Sequence, residues 1–388
     1  MSSTPKTRAA ARLRLSEVSA DIGNLEIALA PLPAEQKAIQ EYLDAYSYPF
    51  STLPNEIVSE IFLQYMPVYP ERPLLRGDGS PEKLAQICRR WREIAHSTPG
   101  LWRAMHIINP HPGALCLAQQ WLERSRALPL SIRLYNGYDV PHRAASAVKT
   151  LLVHRLRWQY ISLFLPYHRG LPVLGGNFPL LKALELSFDA GMHFSNITAV
   201  NLTTVHLWRW DPPSDWFADK KFLPWKQLTT LLLGKVYHDF TAMVLRETES
   251  LVRCRLFGLI FDDEPMIGTT MRMNALETFI VDFSEPSNVA AELFRPLNIP
   301  NLKHLSIHDG VIEQHNRRLP TLLSIIDGFG CTLDRLSIAS QTLTTEQCRA
   351  AFPNVAHVEV TGYSSEVALS PEIWGYWNTD EYVHGEEE

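Results

Sequence analysis

The sequence lacks the features that mark a membrane protein or a disulfide-rich secreted protein. No apolar run approaches the roughly 18 residues that a membrane-spanning helix needs. The basic start MSSTPKTRAAARLRL is followed by Glu17 and Asp21 without an apolar h-region, so we expect no leader peptide and no membrane partner. The five cysteines lie far apart without a C-x-x-C pair, which favours free thiols in a reducing compartment. We therefore expect a cytoplasmic or nuclear protein.

Motifs for catalysis and for nucleotide binding are also absent. The chain contains no G-x-S-x-G, no G-x-x-x-x-G-K-[ST] and no H-E-x-x-H. His304 and His308 would stand about 13 Å apart on one extended strand, which is too far to share a metal ion. The net charge of −6 argues against a surface for nucleic acid. We expect no catalytic residues, no metal, no cofactor and no nucleic-acid partner.

The N-terminal 48 residues predict helices after a disordered basic start. Apolar residues recur at alternating spacings of three and four from Leu15 to Leu32, which is a heptad seam of just under three repeats. Prolines end the seam, and Ile39 and Leu43 resume the apolar spacing. Two structures fit this pattern, a short helical hairpin and a homodimeric coiled coil. The hairpin is favoured because so short a seam is marginal alone.

The stretch LPNEIVSEIFLQYM, Leu53 to Met66, predicts a helix with an unusually wide apolar arc. At about 100° per residue, its apolar side chains cover an arc of about 220°. A surface helix uses little more than about 100° to face its own core. The excess must be covered by another part of this chain or by a second protein. The following stretch PEKLAQICRRWREIAHS predicts one helix with a single, narrower core face.

An apolar motif, L-x-x-L-x-L with conservative substitutions, recurs through the rest of the chain. Its copies begin at positions 181, 202, 228, 251, 276, 302, 333 and 355, with degraded copies at 128 and 158. The spacings bracket those of leucine-rich repeats, in which each unit lays one strand beside the previous one. The Asn that usually satisfies the inner turn is missing from these copies. The pattern therefore predicts a parallel curved sheet in a solenoid with irregular turns.

Three segments, LPNEIVSEIF, CRRWREIAHSTPGLW and the preceding AYSYPF, resemble the F-box family. More specifically, the chain resembles the F-box proteins with leucine-rich repeats of mushroom-forming fungi. The resemblance covers Pro49 to Ile107 and extends loosely through the repeats. In this family the first helix packs on the adaptor subunit of an SCF-type cullin ubiquitin ligase, which would explain the wide apolar arc. The long connection Pro67 to Pro81 departs from the family, whose minimal module has a tighter connection there.

The resemblance implies one set of site residues, and the repeat pattern suggests another. The implied adaptor-binding residues, including those that close the module, are Leu53, Pro54, Ile57, Ile61, Phe62, Leu84, Cys88, Trp91 and Trp102. Strand alternation places the residues between the apolar positions on an open face, where Arg and aromatic side chains typically anchor protein partners. The candidate substrate-binding residues on that face are His206, Trp208, Arg253, Arg255, Phe257, Asp282, His304, His308, Arg335 and His357.

The predicted architecture is α/β overall and has four parts. These are a helical hairpin or short coiled coil at 1–48, an F-box-like three-helix module at 49–107, an irregular leucine-rich-repeat solenoid at 108–370 and an acidic tail with aromatic residues at 371–388. The predicted function is that of a substrate receptor, a monomer before assembly, which joins a protein substrate to the adaptor and through it to cullin. The ligase chemistry belongs to other subunits, and this chain acts by proximity.

The alternative is a non-catalytic repeat scaffold that is not connected to a ligase. In a scaffold, Ile61 and Phe62 are expected to be buried within the chain. In a receptor, part of the helix from Leu53 to Met66 is expected to be open to a partner.

Overall fold

The computed structural model describes residues 8–45, 52–137, 141–165, 171–188, 194–208, 222–260, 270–282, 294–309 and 318–362. The chain divides into two compact units, Met1–Val58 and Ser59–Glu388. The predicted acidic tail and the first seven residues of the basic start lie outside the described residues.

The first unit contains two helices, α1 (Arg8–Leu29) and α2 (Leu32–Ala45). Helix α1 already begins within the basic start, in a run of Ala, Leu and Arg that has high intrinsic helix propensity. The chain bends at Ala30 and Pro31 between the helices. Helix α1 has no buried residue, and α2 is exposed from its first residue to Asp44. These two helices therefore build no apolar core.

Three short helices follow. They are α3 (Asn55–Tyr65), α4 (Pro81–Ile87) and α5 (Arg89–Ser97). The division between the two units falls within α3. The prediction of one continuous helix across α4 and α5 is wrong, because Cys88 has an extended backbone between them. The Cys88 sulfur accepts a hydrogen bond from the backbone N–H of Trp91 and so caps α5.

One parallel sheet of eleven strands dominates the second unit, with its strands in chain order. They are β1 (Ala104–Ile108), β2 (Leu130–Tyr135), β3 (Trp158–Leu165), β5 (Ala183–Phe188), β7 (Thr204–Trp208), β8 (Thr230–Gly234), β9 (Arg253–Phe257), β11 (Thr278–Asp282), β13 (His304–His308), β14 (Arg335–Ala339) and β15 (His357–Thr361). Two small parallel sheets pair β4 (Leu174–Asn177) with β6 (Phe194–Thr198) and β10 (Met271–Arg272) with β12 (Leu297–Asn298). Among the described residues, the α-helices between strands include α6 (Pro112–Arg124), α7 (Pro141–Leu152), α8 (His238–Glu247), α9 (Arg318–Phe329) and α10 (Thr345–Ala351).

The repeated motif corresponds to the strands of this sheet. Each of the eight copies begins two residues before a strand, and the degraded copies at 128 and 158 fall on β2 and β3. The predicted α/β class with a large parallel sheet is therefore confirmed. Strand alternation places apolar residues such as Leu184, Leu186, Val205 and Leu207 on one side, where they are buried at 2% exposure or less.

The two edges of the sheet differ. Leu74 forms a parallel bridge with His106 of β1, and the backbone N–H of His106 donates a 2.9 Å hydrogen bond to the carbonyl of Pro73. The hydroxyl of Tyr69 donates to Gln159 at 2.8 Å, on β3. The long connection between α3 and α4 thus packs along the first edge. At the other edge, β15 pairs with β14 alone in the part of the chain that the structure describes.

A tryptophan pair joins the short helices to α6. Trp102 is fully buried, and its indole N–H donates a 2.8 Å hydrogen bond to the carbonyl of Ala95. Its ring packs edge-on against Trp121, with 5.5 Å between centroids, and lies under the guanidinium of Arg124. Glu82 accepts from both Trp121 and Arg124, at 3.2 and 2.8 Å. Helices α4, α5 and α6 therefore share one interior.

Candidate functional site

Helix α3 has one buried side and one exposed apolar side. Val58 and Phe62 are buried at 0 and 1% exposure. Ile57, Ile61 and Tyr65 are 49, 42 and 46% exposed, and their spacing of four residues puts them on the same side of the helix. We call these three residues the α3 surface. Such exposure of large apolar side chains in a row typically marks an interaction site.

The buried side of α3 is held by α5 and the turn that follows it. The ring of Phe62 packs at 4.9 Å on Trp91, and the hydroxyl of Thr98 donates a 3.0 Å hydrogen bond to the Ser59 hydroxyl. Leu63 approaches Gly100 so closely that an added Cβ would lie 2.9 Å from its side chain. These contacts fix the rotation of α3 about its axis and so determine which residues it exposes.

The nine predicted adaptor-binding residues divide between surface and interior. Those on the surface or partly exposed are Leu53, Pro54, Ile57, Ile61, Cys88 and Trp91. Phe62, Leu84 and Trp102 are buried at 5% exposure or less, so they pack inside the chain and support the surface from below. Ile87 lies at the end of α4 with 58% exposure, although the apolar spacing assigns it to the core face. Its exposure follows from the helix break at Cys88, which the apolar spacing does not reveal.

The side of the sheet opposite the apolar residues carries three rows of residues in register, which we call the polar face. The first row is Ala104, Ser131, Tyr160, Ala183, Thr204, Thr230, Arg253, Thr278, His304, Arg335 and His357. The middle row is His106, Arg133, Ser162, Glu185, His206, Leu232, Arg255, Ile280, Ser306, Ser337 and Glu359. The third row includes Tyr135, Phe164, Ser187, Trp208, Gly234, Phe257 and Asp282, and it continues with His308 and Ala339. All ten predicted substrate-binding residues lie in these rows.

Titratable residues of the middle row are buried near the centre of the sheet. Glu185, His206 and Arg255 are each at most 8% exposed. Burial lowers the pKa of His206, an effect that Glu185 opposes and Arg255 reinforces. The guanidinium of Arg255 pairs with Asp282 at 2.9 Å. Burial raises the pKa of Asp282, while its attraction to Arg255 acts in the opposite direction.

Aromatic rings of the third row stack in pairs. Trp208 and Phe257 are stacked with 5.1 Å between centroids, although β8 lies between their strands. Gly234 of β8 makes this possible, because a Cβ there would lie 2.3 Å from the Trp208 ring. Tyr135 and Phe164 form a second stack at 4.7 Å. These four rings are each partly exposed and offer flat apolar area for contact with a partner.

The C-terminal end of the polar face is basic and open. His304, Arg335 and His357 are exposed in the first row, and Arg349 of α10 is exposed beside them. We call these four residues the basic patch. Arg335, Arg349 and His357 line a surface cavity of about 480 Å³ together with Glu359. Neither arginine forms an ion pair within the described residues, although the Arg349 charge acts on the Glu346 carboxylate and Glu359 lines the same cavity.

The structure thus brings the ten predicted residues to one face but not to equal exposure. The buried ones are His206, Arg255 and Asp282, the partly exposed ones are Trp208, Arg253, Phe257 and His308, and the exposed ones are His304, Arg335 and His357. The stacked pair Tyr135 and Phe164 was detectable, because the degraded motif copies alternate in the same way. Glu185 occupies the same alternating position in the copy at 181, whereas nothing in the repeat points to Arg349 on the following helix.

Neither models of known protein families nor curated protein sequences match this chain. The described stretches contain no group of three or more His, Cys, Asp or Glu side chains that could hold a metal ion. They also contain no helix with the length and apolar character needed to cross a bilayer.

Proposed function

We propose that the chain is the substrate-receptor subunit of an SCF-type cullin ubiquitin ligase. Helix α3 docks on the adaptor subunit, and the polar face recruits a protein substrate. The chain performs no chemistry itself, and it acts by raising the effective concentration of the substrate beside the ubiquitin donor. The proposed location is the cytoplasm or the nucleus.

The observation that carries this proposal is the open apolar side of α3. Ile57, Ile61 and Tyr65 are at least 42% exposed, although the adjacent stripe of the same helix is already packed inside the chain through Val58 and Phe62. Single exposed apolar residues are common on protein surfaces, but three large ones in a row form a contiguous patch of the kind that binds a partner. The sequence LPNEIVSEIF, which resembles the adaptor-docking helix of the F-box family, contains both Ile57 and Ile61. We therefore interpret α3, α4 and α5 as an F-box-like module.

The parallel sheet, with the segments that connect its strands, supports the proposal that the polar face recruits a protein substrate. We interpret the regular succession of motif, strand and return segment as a leucine-rich-repeat solenoid with irregular turns. The partly exposed rings of Trp208 and Phe257 are the kind of anchor that protein interfaces use. The basic patch adds two guanidinium groups that have no ion-pair partner among the described residues, and these favour a substrate that presents acidic residues.

Adaptor binding is tested by titrating the purified full-length chain with an SCF adaptor subunit in a calorimeter. We expect Ile61→Asp to abolish binding, because a carboxylate would be desolvated at the interface. Phe62 is unsuitable for this purpose, because a charge at a fully buried position would unfold the module. Val153→Asp is the matched control, since Val153, which directly follows α7, is an exposed apolar residue with 76% exposure.

Circular dichroism must show that both variants remain folded. Binding by the native chain and by Val153→Asp, with loss in Ile61→Asp, supports the receptor. Failure of the native chain to bind any SCF adaptor offered contradicts it.

The scaffold without a ligase remains the second candidate because of one observation. Phe62, Leu84 and Trp102, three of the nine residues that the resemblance implies for adaptor binding, are already buried within this chain. In a scaffold, the same packing would serve only to attach α3 to the helices that follow it. A native chain that binds protein partners through the polar face but ignores the adaptor would establish this candidate.

A further inference from the structure

Helix α1 exposes an apolar seam that its own unit does not cover. Leu15, Ile22, Leu25 and Leu29 are each at least 50% exposed, and Val18 is partly buried. A packed helical hairpin would bury these residues against α2, but α2 also exposes its apolar side chains. Ile39 and Leu43 are 53 and 57% exposed. The pairing of α1 with α2 therefore does not satisfy the seam.

The charges of α1 are separated along its length. All three basic residues, Arg8, Arg12 and Arg14, lie in its first seven positions. All three acidic residues, Glu17, Asp21 and Glu26, lie in the remaining fifteen. Two copies of α1 in antiparallel orientation would therefore place the basic half of each opposite the acidic half of the other. A parallel pair would align like charges along the whole helix.

We propose that α1 forms an antiparallel helix pair with α1 of a second copy of this chain, so that the protein is a homodimer. The proposal does not rest on adaptor binding, and it replaces the monomer expected from the sequence. Two observations support it. The apolar seam of α1 is exposed, and the basic and acidic parts of α1 are complementary to each other when two copies lie antiparallel.

The heptad spacing defines the residues that face each other across the seam. In the heptad abcdefg, Leu15, Ile22 and Leu29 occupy position a, and Val18 and Leu25 occupy position d. In the antiparallel arrangement Leu15 meets Leu25 of the other copy, and Val18 meets Ile22. Four of the seam residues of each copy are thereby covered in pairs, whereas Leu13 and Ile27 lie off the seam.

The flanking residues define the electrostatics of the antiparallel pair. On one flank Arg12 and Glu26 face each other twice in the dimer, and Ser19 faces its own copy. On the other flank Asp21 faces its own copy once, which is a like-charge contact. Two attractive contacts therefore stand against one repulsive contact.

The parallel alternative has the opposite electrostatics. There the flanking residues Asp21 and Glu26 of different copies would face each other twice, and both are acidic. Glu26→Arg therefore distinguishes the two orientations. In an antiparallel dimer the introduced arginine would lie opposite Arg12 and weaken the pair, whereas in a parallel dimer it would face Asp21 and strengthen it.

The test is analytical ultracentrifugation of the full-length chain over a range of concentrations up to about 100 μM, a span that covers micromolar dissociation constants. We expect a mass that approaches twice the 44.1 kDa of the chain. Ile22→Asp should return the protein to a monomer. Ile27→Asp is the control, because Ile27 is 75% exposed at a position away from the seam and its substitution should leave the dimer intact.

Charge variants complete the test. Glu26→Arg and Arg12→Glu should each weaken the dimer by about tenfold or more, and the combination of both should restore it, because the pair is then reversed. Glu17→Arg, which makes the same charge change away from the flanking positions, is the control. The proposal is overturned by a monomer at all concentrations, by a dimer that survives Ile22→Asp, or by a dimer that Glu26→Arg strengthens.

Discussion

The N-terminal helices and the parallel sheet are both built on regular apolar spacing, but only the sheet covers its own apolar residues. In α1, leucines such as Leu15 and Leu25 are 67 and 68% exposed. In the sheet, Leu186 and Leu207 are fully buried. The difference shows that apolar periodicity predicts a secondary structure, whereas burial depends on whether the same chain supplies a second layer. Where it does not, a partner is the remaining way to cover the seam.

The largest expected effect comes from breaking one of the buried ion pairs that hold the sheet to its own helices. Asp309, at the end of β13, is fully buried and accepts a 2.7 Å hydrogen bond from Arg318 of α9. Asp309→Ala leaves a buried guanidinium without its partner, so we expect a loss of about 3–5 kcal/mol in the free energy of unfolding. Urea denaturation measures it.

The control for this variant is Glu249→Ala, which removes an exposed pair with Lys226 at 2.7 Å. We expect a change below about 1 kcal/mol there, because water and side-chain entropy offset most of an exposed pair. Equal effects of the two variants would show that the buried network around Asp309 does not stabilise the sheet.

The comparison is tested most simply by truncating one leucine in each region. Leu207→Ala creates a cavity in the apolar layer of the sheet, and we expect it to lower the free energy of unfolding by about 2–5 kcal/mol. Leu25→Ala in α1 should change the unfolding of the sheet by less than about 0.5 kcal/mol, since its side chain lies outside any core of this chain. A large effect of Leu25→Ala on a dilute monomeric sample would contradict the comparison.

Acidic pH should lower the stability of the sheet but should not change the helicity of the N-terminal helices. Burial lowers the pKa of His106 from its ordinary 6.5 to about 4, with Arg133 and Arg72 acting in the same direction and Glu185 against them. The unfolded chain binds a proton below about pH 6.5, whereas the folded chain resists it until about pH 4. The neutral His106 therefore leaves the free energy of unfolding unreduced above about pH 6.5. As the pH falls from about 6.5 to about 4, the free energy of unfolding decreases by at most about 3 kcal/mol.

Urea denaturation at pH 7.5 and at pH 5 measures the part of this loss that falls above pH 5, about 2 kcal/mol, and His106→Gln should reduce it. Residues 8–45 contain no histidine, so the helicity of a peptide with this sequence should not change between the two values. A pH dependence that His106→Gln leaves unaltered would show that His106 is not responsible.

The smallest expected effect concerns the stacked rings of the polar face. Gly234→Ala forces the Trp208 ring away from its position over β8, and we expect a loss of about 1–2 kcal/mol in the free energy of unfolding. Gly328→Ala is the matched control in α9, where a new Cβ meets open space and should stabilise the helix by up to about 1 kcal/mol. If both variants behave alike, the close approach of Trp208 to Gly234 has no energetic consequence.

The sequence predicts the sheet well because its repeat encodes the apolar layer directly. Every complete motif copy corresponds to a strand, and the alternating residues between them reach the polar face. Strand β1 carries no copy, and its five residues AMHII are too few to separate from the neighbouring helices by periodicity.

The candidate sites were predictable to a lesser degree, because exposure depends on contacts distant in sequence. The wide apolar arc of α3 predicts that some of its residues are covered by another part of this chain or by a second protein, but it does not say which ones. Phe62 is buried and Ile61 is exposed because Trp91 and Thr98 hold the helix in one rotation about its axis. On the polar face, alternation places Arg255 and Arg335 on the same side of the sheet. Arg255 is buried beside Asp282, whereas Arg335 lies open near the last strand, and this difference in burial depends on contacts distant in sequence.

The most direct measurement of the central claim is hydrogen–deuterium exchange of the full-length chain with and without a saturating SCF adaptor. We predict slower exchange in residues 55–65, which form α3, and unchanged exchange in α1 and in the core strands of the sheet. Unchanged exchange in α3 at saturating adaptor concentration would contradict the docking of α3. The chain would then be a repeat scaffold whose exposed α3 surface serves another partner.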